Sequence, residues 1–405
     1  MRNLIVLLIV LGCGIARAED WPRWLGPRGD GISRETRLAE HWPVQGPAKL
    51  WSLPIGEGFS SPVAVEGKIY LFTLVDQKRE TLQAFDAANG KVLWTESYDG
   101  GWADAYPGSR ATPVIENGRI YTYGGKGDLV AWELGAGKII WRTNVMEQTN
   151  VRTNLGWGLS SSPLIIGDLI CVQDGAGGPI AVGLNKNTGK IAWQSEARGL
   201  GGYAHPILAD VSGSRQLIVF GGNAVYGMDP ASGRTIWQEP WTTKYDVNAM
   251  TPVYRDGHLL ISSSYDSGAM MLQLSAGGAN RLWAHRDAQH IRSRFPAAVL
   301  DGNTLYANSE GTLKAMSWPD GKILWSNRQI RLGPGGSFVR VGDKLITLSE
   351  RGELMLIKAT PQGATKISSV KLADSDRNWS TPLIYQCKLY VKTTEELICL
   401  DISAK

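Results

Sequence analysis

The chain is poor in the residues that enzymes and metal sites most often recruit. Its 405 residues include four Cys and five His. It has no Cys-x-x-Cys, His-x-x-x-His or His-Glu-x-x-His pair, so zinc-type and dithiol centres have no support. His285 and His290 read as surface residues of a loop. Gly-x-Ser-x-Gly is also missing, which removes the usual hydrolase nucleophile turn. Gly124-Gly125-Lys126-Gly127 lacks the Lys-Ser/Thr pair and helix of a phosphate loop and reads as a hairpin. Charge of one sign is scarce too: 42 basic residues face 38 acidic ones, without basic runs. That balance gives no footprint for nucleic acid or an anionic membrane. Past the first 18 residues no apolar run approaches the ~18 needed for a transmembrane helix. Beyond the leader only Cys171, Cys387 and Cys399 remain, an odd number at irregular spacing. We expect small buried thiols rather than a disulfide framework, with Cys387 and Cys399 the one pair on neighbouring strands.

The first 18 residues look like an export signal. Arg2 supplies the basic start, Leu4 to Leu11 the apolar run, and Ala16-Arg17-Ala18 a cleavage site before Glu19. Cleavage after Ala18 and an exported protein, periplasmic or secreted, are expected. Val10-Leu11-Gly12-Cys13 loosely resembles a lipobox, although Leu11 is uncommon at its place. Lipid anchoring through Cys13 is the secondary expectation.

What the chain has in abundance is Gly (48) and Trp (16), and both recur in one pattern. A unit opens with Ser/Thr-Pro-Val, continues through Gly-x-Ile/Leu-Tyr and ends in Ala-x-Asp-x-x-x-Gly-Lys-x-x-Trp. The first copy runs Ser61-Pro62-Val63, Gly67-Lys68-Ile69-Tyr70, Ala84-Phe85-Asp86 and Gly90-Lys91-Val92-Leu93-Trp94. Later copies begin near Thr112, Ser162, His205, Thr251, Phe295, Ser337 and Thr381. Trp51, Trp94, Trp141, Trp193, Trp237, Trp283 and Trp325 lie 42 to 52 residues apart. A period in the forties with four short strands per unit marks a β-propeller. The seventh copy has Ile367 where Trp is expected. The eighth lacks its final strand, and the missing piece is Ala48-Lys49-Leu50-Trp51. We therefore expect an all-β, eight-bladed propeller of four-stranded antiparallel blades over residues 48–402. An N-terminal strand would complete the last blade and remove two exposed sheet edges. Residues 19–47 should form an extended segment packing its indoles on the propeller wall. A closed ring demands no partner at an edge, so a monomer or a component of a cell-envelope complex is expected.

Each repeated position has a physical reading. Asp-x-x-x-Gly-Lys makes a hairpin in which Asp caps turn amides and Gly takes the positive φ. Pro fits the first residue of an inner strand, where no ladder donor is lost. The small Ala leaves room for an indole, and the recurring Trp packs between blades.

These motifs resemble the tryptophan-docking repeat of the PQQ-like (quinoprotein alcohol dehydrogenase-like) propeller family. That family holds pyrroloquinoline quinone (PQQ) dehydrogenases and non-enzymatic members of the BamB type, which serve outer-membrane β-barrel assembly. The likeness covers residues 48 to 402, and Trp21 to Gly31 is similar to the N-terminal stretch of secreted PQQ-like repeat proteins. For the enzymes, the resemblance implies PQQ, Ca²⁺ held by carboxylate and amide oxygens, and an Asp base. Asp246 and Asn248 would be the oxygen ligands, and Arg110 or Arg377 the partners of the cofactor carboxylates. The chain departs from those enzymes in lacking adjacent cysteines and the Cys-x-x-Cys-His haem signature, and in being shorter. We therefore expect a non-catalytic binding or scaffold propeller without cofactor or metal. A PQQ- and Ca²⁺-dependent dehydrogenase is the alternative. A carbohydrate binder using Trp102, Trp157 and Trp379 is a third reading.

The site should lie where the connections between blades converge on the channel. Two of these are long, 95–111 and 142–161. The candidate ligand-binding residues are Tyr106, Arg110, Asn154, Trp157, Tyr203, His205, Asp246, Asn248, Arg292, Arg294, Arg377 and Trp379. Arginine forks beside aromatic platforms suit a planar or multiply anionic ligand. The partner expected at this channel face is a protein, a peptide or a carbohydrate.

Overall fold

Residues 19–404 are described by the structure, a computed structural model; the expected leader, with Cys13, lies outside them. Eight antiparallel sheets form the ring. Blade 1 consists of Val63–Val65, Lys68–Val75, Arg79–Asp86 and Val92–Asp99, from the inside outward. Blades 2 to 7 follow over 114–144, 164–194, 207–240, 253–285, 299–333 and 337–371. Blade 8 joins 383–401 to Ala48–Pro54, which pairs antiparallel with Glu396–Asp401 as the outermost strand. The expected closure by an N-terminal strand is thus the observed one. One short helix, Val145–Gln148, occurs among the described residues, capped by the Asn144 side chain. It occupies part of the stretch expected to be a loop over 142–161.

The repeated Trp docks each blade on the next. The ring of Trp51 in blade 8 covers Gly90 of blade 1, Trp94 covers Gly137 of blade 2, and Trp141 covers Gly189 of blade 3. A Cβ at Gly90 would stand 2.7 Å from the indole, and the φ of +76° there already favours glycine. The indole N–H of Trp141 donates to Lys186 O (3.1 Å), that of Trp283 to Pro319 O (3.0 Å) and that of Trp325 to Thr360 O (2.9 Å), each on the following blade. Within a blade the small residue sits directly opposite the Trp: Ala84 faces Trp94, Ala131 faces Trp141 and Gly183 faces Trp193. The Tyr of the second strand leans on the same ring, with Tyr70–Trp94 centroids 5.9 Å apart. In the hairpin, the Asp86 carboxylate accepts from the Ala88 and Asn89 amides.

Blade 7 lacks its Trp, and another indole serves there. Trp42 is buried, and its backbone N–H donates to Ser368 Oγ (3.0 Å) on the outer strand of that blade. It joins the core cluster shared with blade 8.

The N-terminal segment packs on the inner strands and enters the channel. Trp21 pairs with Ala64 on the inner strand of blade 1, and Pro22 O accepts from Ile115 N of blade 2. The Trp24 indole donates to Thr251 Oγ1 (2.9 Å) of blade 5, opposite blade 1 in the ring. Ile32–Ser33 then runs parallel to Arg340–Val341 on the inner strand of blade 7. A segment this short reaches those blades only by crossing the channel. Asp20 and Glu35 meet the hairpins at Glu66 and Gln386, so the plug fills the end opposite the inter-blade connections. We call that the lower end.

Candidate functional site

Above the plug, the inter-blade connections enclose a cavity of about 220 Å³ floored by Trp24. Its rim is aromatic: Phe59, Tyr106, Trp157, Tyr203, Tyr265, Phe295 and Trp379. Trp379 is central, stacked on Phe59 at 4.5 Å, 4.9 Å from Phe295 and 5.4 Å from Tyr106. Tyr106 reaches on to Trp157 at 5.7 Å. Two guanidinium groups, Arg110 and Arg294, line the same space, and no Asp or Glu does.

Below the rim runs a belt of hydroxyls that explains the Ser or Thr before Pro62, Pro113, Pro163 and Pro382. Thr381 N–H donates to Ser61 Oγ (2.9 Å), Ser61 N–H to Thr112 Oγ1 (3.1 Å) and Thr112 N–H to Ser162 Oγ (2.9 Å). Each bond ties one blade to the next. His205 continues the belt with Nδ1 at 2.8 Å from Ser162 O. A carbonyl only accepts, so Nδ1 carries the proton. Burial pushes this imidazole down to about 3, against the opposing pull of the Ser162 bond, so the ring is neutral near pH 7. Sequence reasoning missed this belt, although the recurring Ser/Thr before Pro was its signal.

The connections are held from behind by buried polar side chains. Lys392 Nζ donates to Gly58 O. Gln173 donates to Ala204 O (2.7 Å) and accepts from Gly202 N (2.6 Å). Lys314 Nζ reaches three carbonyls over 288–290 at 2.6 to 3.0 Å. Asn308 donates to Gly333 and Gly336, and Asn378 to Glu350 and Ser375. Glu80 accepts from Ser109 Oγ and, at 3.4 Å, from Gly125 N. Burial lifts its carboxyl to about 7, more than those two bonds and the Arg110 charge lower it.

Of the expected residues, Tyr106, Arg110, Trp157, Tyr203, His205, Arg294 and Trp379 are brought together in the cavity. Burial lowers Arg110 to about 10, and its fork is largely bound to the carbonyls of Ala105, Tyr106 and Gly108. The other expected residues do not line the cavity. Asn154 donates to Gly125 O (2.9 Å) and braces its own connection. Asn248 is buried, donates to Gly221 and Gly222, and accepts from Ser263 Oγ. Its amide is consumed and is not available as a metal ligand, and Asp246 beside it is exposed. Arg292 pairs with Asp266 (2.6 Å). Arg377 lies over the Tyr106 ring at 5.5 Å and next to Asp376 at 3.6 Å, outside the cavity. Trp102 is no platform: it is buried, with its N–H on Ala105 O (3.3 Å). Nor is His290 a surface residue; burial lowers its pKa, and Nε2 bonds to Gly321 O (2.8 Å). Cys171, Cys387 and Cys399 are free thiols. Among the described residues no group of three His, Cys, Asp or Glu side chains is arranged to hold a metal ion.

The protein is a propeller of PQQ-like repeats whose upper face carries a blind aromatic funnel. A family model described as outer membrane protein assembly factor BamB matches residues 78–327 and 240–403. The chain belongs to that family. It is 23% identical over 319 residues to the outer membrane protein assembly factor BamB of Yersinia pestis, which spans 75% of this chain and 76% of that one. Among solved structures, BamB from Moraxella catarrhalis superposes with a TM-score of 0.61 at 16% identity, covering 87% of this chain and 96% of its own. The quinohemoprotein alcohol dehydrogenase from Comamonas testosteroni gives 0.67 at 13% identity, covering 95% and 81%. Likenesses at these identities describe the fold.

Proposed function

We propose that the chain is an exported, non-catalytic scaffold of the cell envelope whose upper face binds a protein partner in the assembly of outer membrane proteins. The observation that carries this reading is the character of the funnel. It is rigid, aromatic and cationic, and has no carboxylate. Connections locked by buried hydrogen bonds lose little freedom on binding, which favours a preorganised docking face. Aromatic and Arg side chains are the usual hot spots of such faces. The name of the family, and of the Yersinia relative, supplies the envelope setting.

The dehydrogenase reading has a donor set to meet and lacks it. Ca²⁺ with PQQ needs carboxylate and amide oxygens, and the chemistry needs an Asp base. No carboxylate lines the cavity, and the Asn248 amide is spent on the backbone. The sugar-binding reading loses Trp102, one of its three platforms.

Two measurements test the proposal together. Deleting the gene in its own bacterium should lower the amounts of folded outer membrane proteins, and Trp379→Ala should reproduce the deletion while the protein remains folded. Calorimetric titration of PQQ with Ca²⁺ should show no heat. Binding at about micromolar Kd that is lost in Arg110→Ala would replace the scaffold with a quinoprotein.

A further inference from the structure

Resting on the reading of the funnel as a partner site, we propose that its occupant is the tip of a protein segment that presents a carboxylate beside an aromatic side chain, and that Arg294 receives the carboxylate. The charge of the site is one-sided, since Arg110 and Arg294 line it and no acid does. The two arginines precede blades 2 and 6, half a turn apart on the ring. They are not equivalent. Arg110 is tied to three carbonyls of its own connection.

Arg294 makes no hydrogen bond and no ion pair among the described residues, and its Nε is buried without a partner. Arg292, two residues earlier, pairs with Asp266 and also bonds to Arg286 O. Arg292 Nε is likewise buried without a partner, but its terminal nitrogens are taken, whereas those of Arg294 have no partner among the described residues. Its guanidinium rests between ring faces, 5.2 Å from the Tyr265 centroid and 5.8 Å from that of Phe295. Ring faces hold a guanidinium without using its in-plane N–H groups. Those groups form the fork that matches a carboxylate.

Size and shape fix the rest. A cavity of about 220 Å³ is smaller than the ~300–1,000 Å³ of sites that enclose drug-sized ligands, and it suits one or two side chains. The wall around Trp379 is continuous aromatic surface, which takes the apolar neighbour of the acid. Trp24, tied to Thr251, closes the floor, so a segment enters by its tip and does not thread through.

The test is calorimetry of the purified protein with four capped tetrapeptides, Ac-Gly-Phe-Asp-Gly-NH2 and its Phe-Asn, Ala-Asp and Phe-Lys counterparts. The Phe-Asp peptide should bind more tightly than each of the others by about tenfold, the worth of one charge-assisted contact. In Arg294→Gln the preference for Asp over Asn should vanish with Phe-Asn binding unchanged, and Arg294→Lys should retain part of it. Equal binding of the Asp and Asn peptides, a preference that survives Arg294→Gln, or no binding of any peptide at millimolar concentration would overturn the assignment. The gene-deletion and Trp379→Ala result is independent of these peptides. If it holds while the peptides fail, this inference falls alone; if it fails, the partner reading falls with it.

Discussion

Tryptophan has two jobs in this chain, and the surroundings of each residue separate them. Trp193 is 7% exposed, sits directly opposite Gly183 and lies against Gly233 of the next blade. Trp157 stands half-buried on the rim, with its ring against Tyr106 and its backbone N–H on the Tyr203 hydroxyl. Trp193→Ala opens a cavity between two blades and should cost about 3–5 kcal/mol. Trp157→Ala should shift stability by well under about 1 kcal/mol. Urea unfolding of the two variants side by side gives the comparison; equal losses would mean that the rim is a packed core. Buried titratable groups add a second residue-scale prediction. Glu80 is raised to about 7 from 4.5, so the native state holds the extra proton, and its contribution is present below pH 4.5 and lost as pH rises through 7. His205 is lowered to about 3 from 6.5, so the unfolded state holds the extra proton, and stability falls as pH drops from 6.5 toward 3. Between pH 4.5 and 6.5 the two slopes oppose each other. Glu80→Gln removes one of them. Relative to the parent it should gain stability as pH rises across that window, read as the difference in urea midpoint at pH 4.5 and 7.5. A constant difference between the two proteins would show that Glu80 titrates normally.

At the scale of elements, the blades were legible and the N-terminal segment was not, for one physical reason. A blade is local: its four strands follow one another, and each repeats the same Gly turn, small residue and Trp. Eight copies of a weak signal make a strong one. The segment 19–47 occurs once, and its contacts reach blades 1, 2, 5, 7 and 8. Nothing in its Pro, Gly and Trp content says whether the indoles meet the outer wall or the channel. The site was legible to the same degree. Counting connections found the face and seven of its lining residues. It did not tell Arg294 from Arg292, or Trp157 from Trp102, because facing the channel or bracing a loop from behind depends on side-chain direction. Likewise Asn248 looked like an oxygen ligand because loop anchors and metal ligands draw on the same residue types. The segment does supply what blade 7 lacks. Ser368, not the expected Ile367, stands opposite Leu356 where Trp94 stands opposite Ala84 in blade 1, because Ile367 falls in the strand's bulge; Trp42 on Ser368 is the indole at that seam. Trp42→Ala should therefore cost about 3–5 kcal/mol, like the loss of a docking Trp, despite lying outside the repeats. A loss below about 1 kcal/mol in thermal or urea unfolding would show that blades 7 and 8 hold together without it.

For the whole molecule, closure decides whether eight marginal sheets act as one body. Each blade buries its faces only against its neighbours, so a ring open at one seam leaves two blades half-covered and a strand edge free. That seam is blade 8, where Ala48–Pro54 pairs with Glu396–Asp401 across almost the full length of the chain. The N-terminal side strengthens it twice more: Leu38 bridges to Ser403, and Ala39 N–H donates to Ile402 O (2.9 Å). Ending the chain at Glu395 removes the central partner of both Ala48–Pro54 and Lys388–Lys392. The shortened protein should run as oligomers on size exclusion, because the orphaned strand seeks another edge. A synthetic peptide of residues 396–405, added during refolding, should restore the monomer by taking the vacant place between those strands. A truncated chain that stays monomeric and cooperative without the peptide would mean that seven blades and the channel plug suffice. In that case the plug, which ties blade 1 to blades 5 and 7 through the channel, would be the true closure of the ring.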